Sequence, residues 1–374
     1  MRAWVEVDLD ALGRNFDLVR NEVGRGVDII AVVKNDAYGH GLKVIVQTLD
    51  SKSVAAYAVL DLNEARAIRA ESDKPVLIMG YLDVKEVVDA IEEGYILSVY
   101  DKEQLPAYER FAARLGRQLA VHLKVETGLN RLGVQPEEAI DFIVSQHLFP
   151  HLKLEAVYSH LSHAGNHVQS LKQLRILQEL LTTVGQKVPI LPVHLCSSYS
   201  LGNFKEGYFD AVRIGLALYG SDQILPGLEP ILTCKSVLMQ PKMIKAGEGV
   251  GYNHLFVASK NMTIGVVVIG YGDGLSQSFI NKMSVLIQGQ EVSVIGRISM
   301  NHLIVDLTGI EARRGEEVII IGSQMNRHGQ ASTISVTDLA KRLSLSHHEI
   351  VTRLGCSVPR LYSRSGSRII SEPK

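Results

Sequence analysis

The chain has 374 residues, 46% hydrophobic and 21% charged, with a formal net charge of -1. That length exceeds one ordinary core, so two domains are expected, and the balanced charge gives no electrostatic reason to expect nucleic acid or a membrane as partner. Three scattered cysteines, Cys196, Cys234 and Cys356, make neither a disulfide framework nor a thiolate metal site. The N-terminal stretch meets acids at once and lacks the apolar region of a signal peptide. No apolar run approaches the ~20 residues of a membrane span. A cytoplasmic location is therefore expected.

From the N-terminus to about residue 228, short apolar runs alternate with amphipathic stretches. The runs are 27–34, 56–62, 75–82, 95–101, 119–127, 154–162, 192–198 and 211–219. Between them lie helical patterns. One is 136–147, with Pro136 at a first helical position and Glu137 and Glu138 in the first turn. Another is 167–182, with Leu171, Leu174, Leu177 and Leu181 on one face. Eight β-then-α units predict a (β/α)8 TIM-type barrel, an α/β fold. A doubly wound sheet is disfavoured because no G-x-G-x-x-G follows the first run. Past about residue 230, short strands are expected at Met262–Gly270, Val285–Ile287, Glu291–Ile295, His302–Leu307 and Glu316–Ile321. Gln288-Gly289-Gln290 reads as a hairpin loop, and only 335–355 returns to helical periodicity. The expected division is a barrel over 1–229 and a mainly β domain over 230–374.

In a barrel, chemistry gathers where strands end at the C-terminal face. Lys34 closes the first run and opens the polar turn Asn35-Asp36-Ala37-Tyr38-Gly39-His40-Gly41. An amine there, partly desolvated, can shed its proton and attack a carbonyl. Lys124 and Arg131 bracket the loop after the fifth run, and His160 ends the sixth. Ser197 and Ser198 end the seventh, and Arg213 lies in the eighth. One rim would thus hold cations, a histidine and a hydroxyl pair, which suits an anionic ligand and a base. Each residue also has a bland role: Arg213 in a core ion pair, His160 as a satisfied imidazole, Ser198 as a helix N-cap. The N-cap reading is compatible with phosphate at a helix N-terminus. His160, His163 and His167 have a metal-like spacing, but they cross from strand end to helix start with no acidic companion, so no metal is expected. His347-His348 reads as a solvated helix start and Lys341-Arg342 as a solvated face.

The stretch Val33–Gly41 resembles the cofactor-lysine signature of alanine racemases, two-domain enzymes that use pyridoxal 5'-phosphate (PLP). The resemblance runs from Trp4-Val5-Glu6-Val7-Asp8-Leu9-Asp10-Ala11-Leu12 to Val358-Pro359-Arg360. It implies that Lys34 links covalently to PLP, that Tyr38 and Ser198 contact its phosphate, and that the backbone amides of Gly215 and Leu216 hold it. Arg213 corresponds to the arginine facing the pyridine nitrogen. Arg131 corresponds to the arginine that meets the cofactor's phenolic oxygen and the substrate carboxylate. Lys124 matches a lysine often carbamylated, giving Arg131 an anionic partner. In the β domain, Tyr252 in Gly251-Tyr252-Asn253 looks like the catalytic tyrosine. Tyr271 matches a tyrosine of the substrate entryway, and Met300 a residue whose amide meets the carboxylate. A homodimer with active sites shared between subunits is implied, Tyr252 reaching the other subunit's Lys34.

The residue chemistry agrees with those roles. Racemisation removes a proton from one face of Cα and returns one to the other, so two opposed bases suffice. Lys34 and Tyr252, with ordinary pKa values of ~10.4 and ~10, must be depressed or coupled to act near neutrality; His160 and Arg213 are neighbours that could do this for Tyr252. An arginine against the pyridine nitrogen keeps its proton, which weakens the ring as an electron sink and suppresses transamination and decarboxylation. The implied reaction is interconversion of L- and D-alanine, supplying D-alanine for peptidoglycan. Alternatives are a broader serine/alanine racemase or a PLP decarboxylase of the same architecture, although the Gly-Gly-Gly phosphate loop of the latter is missing. Cys356, Ser357, Asn301, Ser197, Gly165 and Gln277 depart from the family pattern and bear on substrate range and cofactor affinity, leaving both bases in place.

Overall fold

A computed structural model describes residues 1–220, 224–279 and 282–372. The chain opens with strand β1 (Ala3–Asp8), whose side chains alternate buried and half-buried in the period of a strand with one covered face. Eight further strands close into a barrel: β2 (Asp28–Val32), β3 (Ala56–Val59), β4 (Val76–Ile78), β5 (Ile96–Val99), β6 (Leu119–Lys124), β7 (Leu152–Tyr158), β8 (Val193–Ser197) and β9 (Ala211–Ile214). Each is parallel to the next, and β9 returns to β2 in a register that sets Arg213 opposite Ile30. Strands covered on both faces need continuous apolar runs rather than alternation, and β4, β5 and β9 are buried at every residue. Seven of these strands fall inside the expected runs; β7 starts earlier, at Leu152.

Helices between the strands start where the sequence supplies caps. Asp61 and Asp83 accept amides of Glu64 and Glu86, and Glu86 answers the Asp83 amide in a reciprocal box. Pro136 opens the helix Pro136–Val144 as expected. Helix His167–Gly185 buries a stripe slightly rotated from the expected one: Ser170, Gln173, Leu174, Leu177, Leu180 and Val184, while Leu171 and Leu181 are half-buried. Gln173 takes a core position because its amide is fully engaged, as described below.

The chain divides into two compact units, one of Leu12–Ala37 and Leu42–Glu229, the other of Met1–Ala11, Tyr38–Gly41 and Pro230–Lys374. The expected boundary at 229/230 thus shifts at the N-terminus. The reason is pairing: β1 lies antiparallel to β10 (Leu232–Ile244), with Val5 opposite Cys234, and parallel to Arg360–Arg364. The second unit is built on a ten-stranded sheet, in the order Ala331–Ile334, Glu317–Met325, Ser284–Ile287, Gln290–Ile295, Leu303–Asp306, Met262–Val267, β10, β1, Arg360–Arg364 and Ser367–Glu372. Its core includes Val5, Val285, Ile287, Val318, Ile320, Leu339 and Leu354.

The expected hairpin is present: Ile287 faces Gln290, and Gln288 and Gly289 both take positive φ (55° and 71°), as a two-residue hairpin turn requires. Two helices, Val336–Leu343 and His347–Ser357, occupy the expected helical stretch. His347 corrects the reading of a solvated helix start, because it is buried. The Tyr38–Gly41 segment belongs to this unit and lies against that helix. The Tyr38 ring is 5.2 Å from that of His348, and a Cβ on Gly39 would stand 3.0 Å from Thr352 O.

Candidate active site

Lys34 follows β2 directly, where Val33 still donates to Ala58 O. The next four residues, Asn35 to Tyr38, all take left-handed φ between 52° and 56°. Each such residue costs roughly 1–2 kcal/mol, so the surroundings must hold the turn. Ala37 N donates to Val33 O (2.8 Å), Asp36 N to the Glu64 carboxylate (3.1 Å) and Leu42 N to the Asp36 carboxylate (2.7 Å). The Lys34 amine is half-buried. Burial first, and the positive charge of Arg131 second, lower its pKa from the ordinary value, against an opposing pull from Glu64. Lys34 is thereby biased toward the free amine.

Behind it, the barrel interior holds a polar cluster. Arg213 is buried, and its two terminal nitrogens donate to three carbonyl oxygens (His194, Ser159 and Leu195) and to Nδ1 of His194 (2.7 Å) and His160 (3.1 Å). No carboxylate is among these acceptors. The expected core ion pair is therefore replaced by a cation solvated by dipoles. Burial pulls the Arg213 pKa down to about 10, still leaving it charged at neutrality. Burial, then the Arg213 charge, pushes His160 to about 3. Lys124, at the end of β6, is lowered to about 8 by burial, then by Arg131 and Arg213.

Ser198 differs from its expected N-cap role. Ser197 stands at the cap position of the short turn Ser198–Ser200, and the Ser198 hydroxyl instead accepts amides of Gly215 (3.2 Å) and Ala217 (3.1 Å). The turn after β9 thus aims backbone amides at one hydroxyl, with Leu216 buried between them. The loop carrying Arg131 is tied by Glu126, whose carboxylate accepts amides of Gly128 and Leu129. Burial opposes ionisation of Glu126, and the amides of Asn130, Gly128, Leu129 and Arg131 override it, holding its carboxyl below the ordinary range. Arg131 itself is exposed.

In the other unit, three loops meet. Tyr252, 66% exposed, opens a short turn beside Gly251 (φ 69°). Tyr271 N donates to Ser299 O and Gly272 N to Met300 O, binding the Tyr271 and Met300 loops to each other. Asp273 braces the first of these, taking the Gly270 amide on one oxygen and the Arg2 guanidinium on the other. Tyr38 is pushed up to about 12 by burial. Cys356 is exposed.

Each unit therefore gathers its own set: Lys34, Lys124, Arg131, His160, Ser198, Arg213 and Gly215 in the barrel unit, Tyr38, Tyr252, Tyr271 and Met300 in the other. The sequence reading missed a supporting layer. Gln173 donates to Thr127 and His160 O while its oxygen accepts Ser162. Tyr158 stacks on His194 (4.7 Å, 15°) and bonds Ser98. His194 also meets His122 at 3.0 Å. Polar residues in apolar strand runs (Ser98, His122, His194) and a glutamine in a helical core stripe were the available signals. Barrel-facing donors, a depressed lysine and an amide-lined turn make a site for an anionic, carbonyl-bearing ligand.

Comparison with known proteins gives the site a context. Residues 7–223 match the family model described as alanine racemase, N-terminal domain. Residues 231–362 match the corresponding C-terminal domain model. An alanine racemase of Synechocystis sp. is 34% identical, over 96% of this chain and 98% of that one. Among solved structures, an alanine racemase of Clostridium difficile superposes with a TM-score of 0.90 at 26% identity, covering 100% of this chain and 98% of that one. One from Bartonella henselae, solved with covalently bound pyridoxal phosphate, gives 0.87 at 25% identity, over 97% of this chain and 100% of that one.

Proposed function

The chain belongs to the alanine racemase family, and from that premise we propose that it interconverts L- and D-alanine with PLP as cofactor, Lys34 and Tyr252 serving as the opposed bases. The observation that carries this reading is Lys34: an amine closing the first barrel strand, with its pKa lowered by burial and by Arg131. Such an amine can bond a carbonyl carbon and later take a proton from Cα.

The residues present fit PLP. The donor set combines a partly desolvated lysine, a dipole-solvated arginine and a turn whose Gly215 and Ala217 amides converge on Ser198. In this reading Ser198, Gly215, Leu216 and Tyr38 hold the phosphate, Arg213 faces the pyridine nitrogen, and His160 stands beside Arg213. When bound, PLP supplies the electron withdrawal that makes the Cα proton removable. Arg131, on its tied loop, takes the substrate carboxylate together with the Met300 amide, which fixes Cα between the bases. Lys34 exchanges the proton on one face and Tyr252 on the other. Tyr271 narrows the entryway. Arg213, charged and with no carboxylate acceptor among the described residues, donates rather than accepts at the pyridine nitrogen, which disfavours competing chemistry. Carbamylation of Lys124 would give Arg131 an anion to rest against. The subunits pair as a homodimer, Tyr252 being supplied across the interface; its 66% exposure within its own chain supports this. Supply of D-alanine for peptidoglycan, inside the cytoplasm, is the role that goes with the reaction. Among the described residues no helix is long and apolar enough to cross a membrane.

The test is exchange of the Cα proton with solvent deuterium for each alanine enantiomer. Lys34→Ala is expected to abolish the visible absorbance of the bound cofactor along with exchange. Tyr252→Phe should depress exchange from L-alanine by ~10²–10⁴-fold, the usual worth of a positioned base, and affect D-alanine far less. A cofactor still covalently attached in Lys34→Ala, or equal mild losses for both enantiomers in Tyr252→Phe, would overturn the assignment.

A further inference from the structure

Arg213 is one end of a hydrogen-bonded chain that continues past the residues assigned above. Its guanidinium donates to His194 Nδ1 at 2.7 Å, and His194 Nε2 lies 3.0 Å from His122 Nδ1. The links run through the barrel interior from β9 to β8 to β6, and His122, His194 and Arg213 are all buried. The Tyr158 ring lies flat on His194 at 4.7 Å and is itself fastened to Ser98 by its hydroxyl. Tyr158 thus covers one face of His194 while both of its ring nitrogens are engaged.

The direction of every proton in this chain follows from Arg213. A guanidinium has donors and no acceptor, so His194 must present a lone pair at Nδ1. A neutral imidazole then carries its proton on Nε2, and that proton must be donated to His122 Nδ1. His122 is left as the acceptor, with its own proton on Nε2. The opposite arrangement would set the His194 Nδ1–H against an Arg213 N–H at 2.7 Å. Burial holds both imidazoles neutral: His122 falls to about 4, with Arg213 contributing and Glu155 opposing, and His194 lies well below its ordinary value.

We propose that His122 is a positioning residue, whose Nδ1 lone pair fixes the tautomer of His194 and so keeps the Arg213 guanidinium in its working orientation. His122 acts on Arg213 from two hydrogen bonds away, through His194. Without an acceptor for its Nε2–H, the tautomer that Arg213 selects leaves a buried donor unsatisfied, and that penalty offsets the preference Arg213 imposes and lets the other tautomer compete. The inference rests on the reading that Arg213 faces the cofactor ring, but its first test does not.

That test is imidazole proton–nitrogen NMR of the cofactor-free protein, in which His194 and His122 should each carry a single proton on Nε2, with the His194 proton hydrogen-bonded. A His194 proton on Nδ1 overturns the proposal whatever the variants do. In His122→Leu, the His194 signal should split between tautomers. The holoprotein should show a displaced visible absorbance band and a kcat about ten-fold lower, the scale expected when a buried donor loses its partner, with KM changing less. His122→Asn, whose Oδ1 takes the place of Nδ1 as acceptor, should restore the band and bring kcat within about two-fold of the parent. A His122→Leu protein with one His194 tautomer, or an Asn variant no better than Leu, overturns the proposal. The Arg213 assignment fails separately, if Arg213→Ala leaves the visible band unmoved while the NMR result stands.

Discussion

Lys124 illustrates how far a residue's neighbours decide its chemistry. Burial and two nearby arginines hold its pKa at about 8, so near neutrality a useful fraction is the free amine that reacts with carbon dioxide. We expect amine-reactive labelling of Lys124, followed by mass spectrometry across pH, to show a midpoint near 8, and bicarbonate to protect it. A midpoint in the ordinary lysine range would mean that the side chain is solvated. The candidate positions stand out in the sequence because each combines a rare residue type with a strand end: Lys34, His160, Ser198 and Arg213 interrupt apolar runs where a barrel opens. What was hidden is the partner geometry. Nothing in the spacing of Arg213 and His194 announces a hydrogen bond between neighbouring strands, because strand register is set by the closure of the whole barrel. The Ser198 hydroxyl read as a cap from local sequence, yet it is claimed by amides from the following strand's turn.

At the scale of elements, loops are what the barrel orients, and the Glu126–Val134 loop is the clearest case. Gly133 adopts φ +142°, and a Cβ there would stand 2.6 Å from Glu126 N. That close approach is what lets Val134 N bond Lys124 O and Glu126 N bond Val134 O, closing the loop under Arg131. Gly133→Ala is therefore expected to cost about 1–3 kcal/mol as backbone strain and to loosen the loop. Its signature should be a KM for alanine raised several-fold with the visible absorbance of the cofactor unchanged. An unaltered KM would show that Arg131 does not depend on this turn. Elements whose pattern is local were read correctly, as the buried runs of the barrel and the Gln288–Gly289 hairpin show. Those that depend on distant partners were not: β1 and the 13-residue strand β10 find their neighbours far along the chain, and β1 joins a sheet whose other strands begin more than two hundred residues later.

For the molecule as a whole, the buried imidazoles set an acid limit on stability. His122 and His160 have folded-state pKa values of about 4 and about 3, below the ~6.5 of an unfolded chain. The unfolded state therefore binds more protons than the native one between those values, and stability falls as pH drops through that window. For His122 alone the loss is on the order of 3 kcal/mol by pH 4, so Tm should decline below about pH 6.5, and His122→Asn should flatten the slope. The assembly is the remaining step. One unit exposes Tyr252, Leu255, Val257 and Met300 together with its catalytic candidates, while Lys34 and Arg213 belong to the other. If an isologous dimer builds each site from both chains, two inactive variants can repair one another. In a mixed dimer of Lys34→Ala and Tyr252→Phe, one site collects both substitutions and the other collects none. Co-refolding equal amounts should make half of the dimers mixed, each with one intact site of two, and so return about a quarter of parental activity. Neither variant alone should recover on the same treatment. If Lys34 and Tyr252 instead serve a site from the same chain, every site in the mixture carries one lesion, and activity stays at the level of the separate variants.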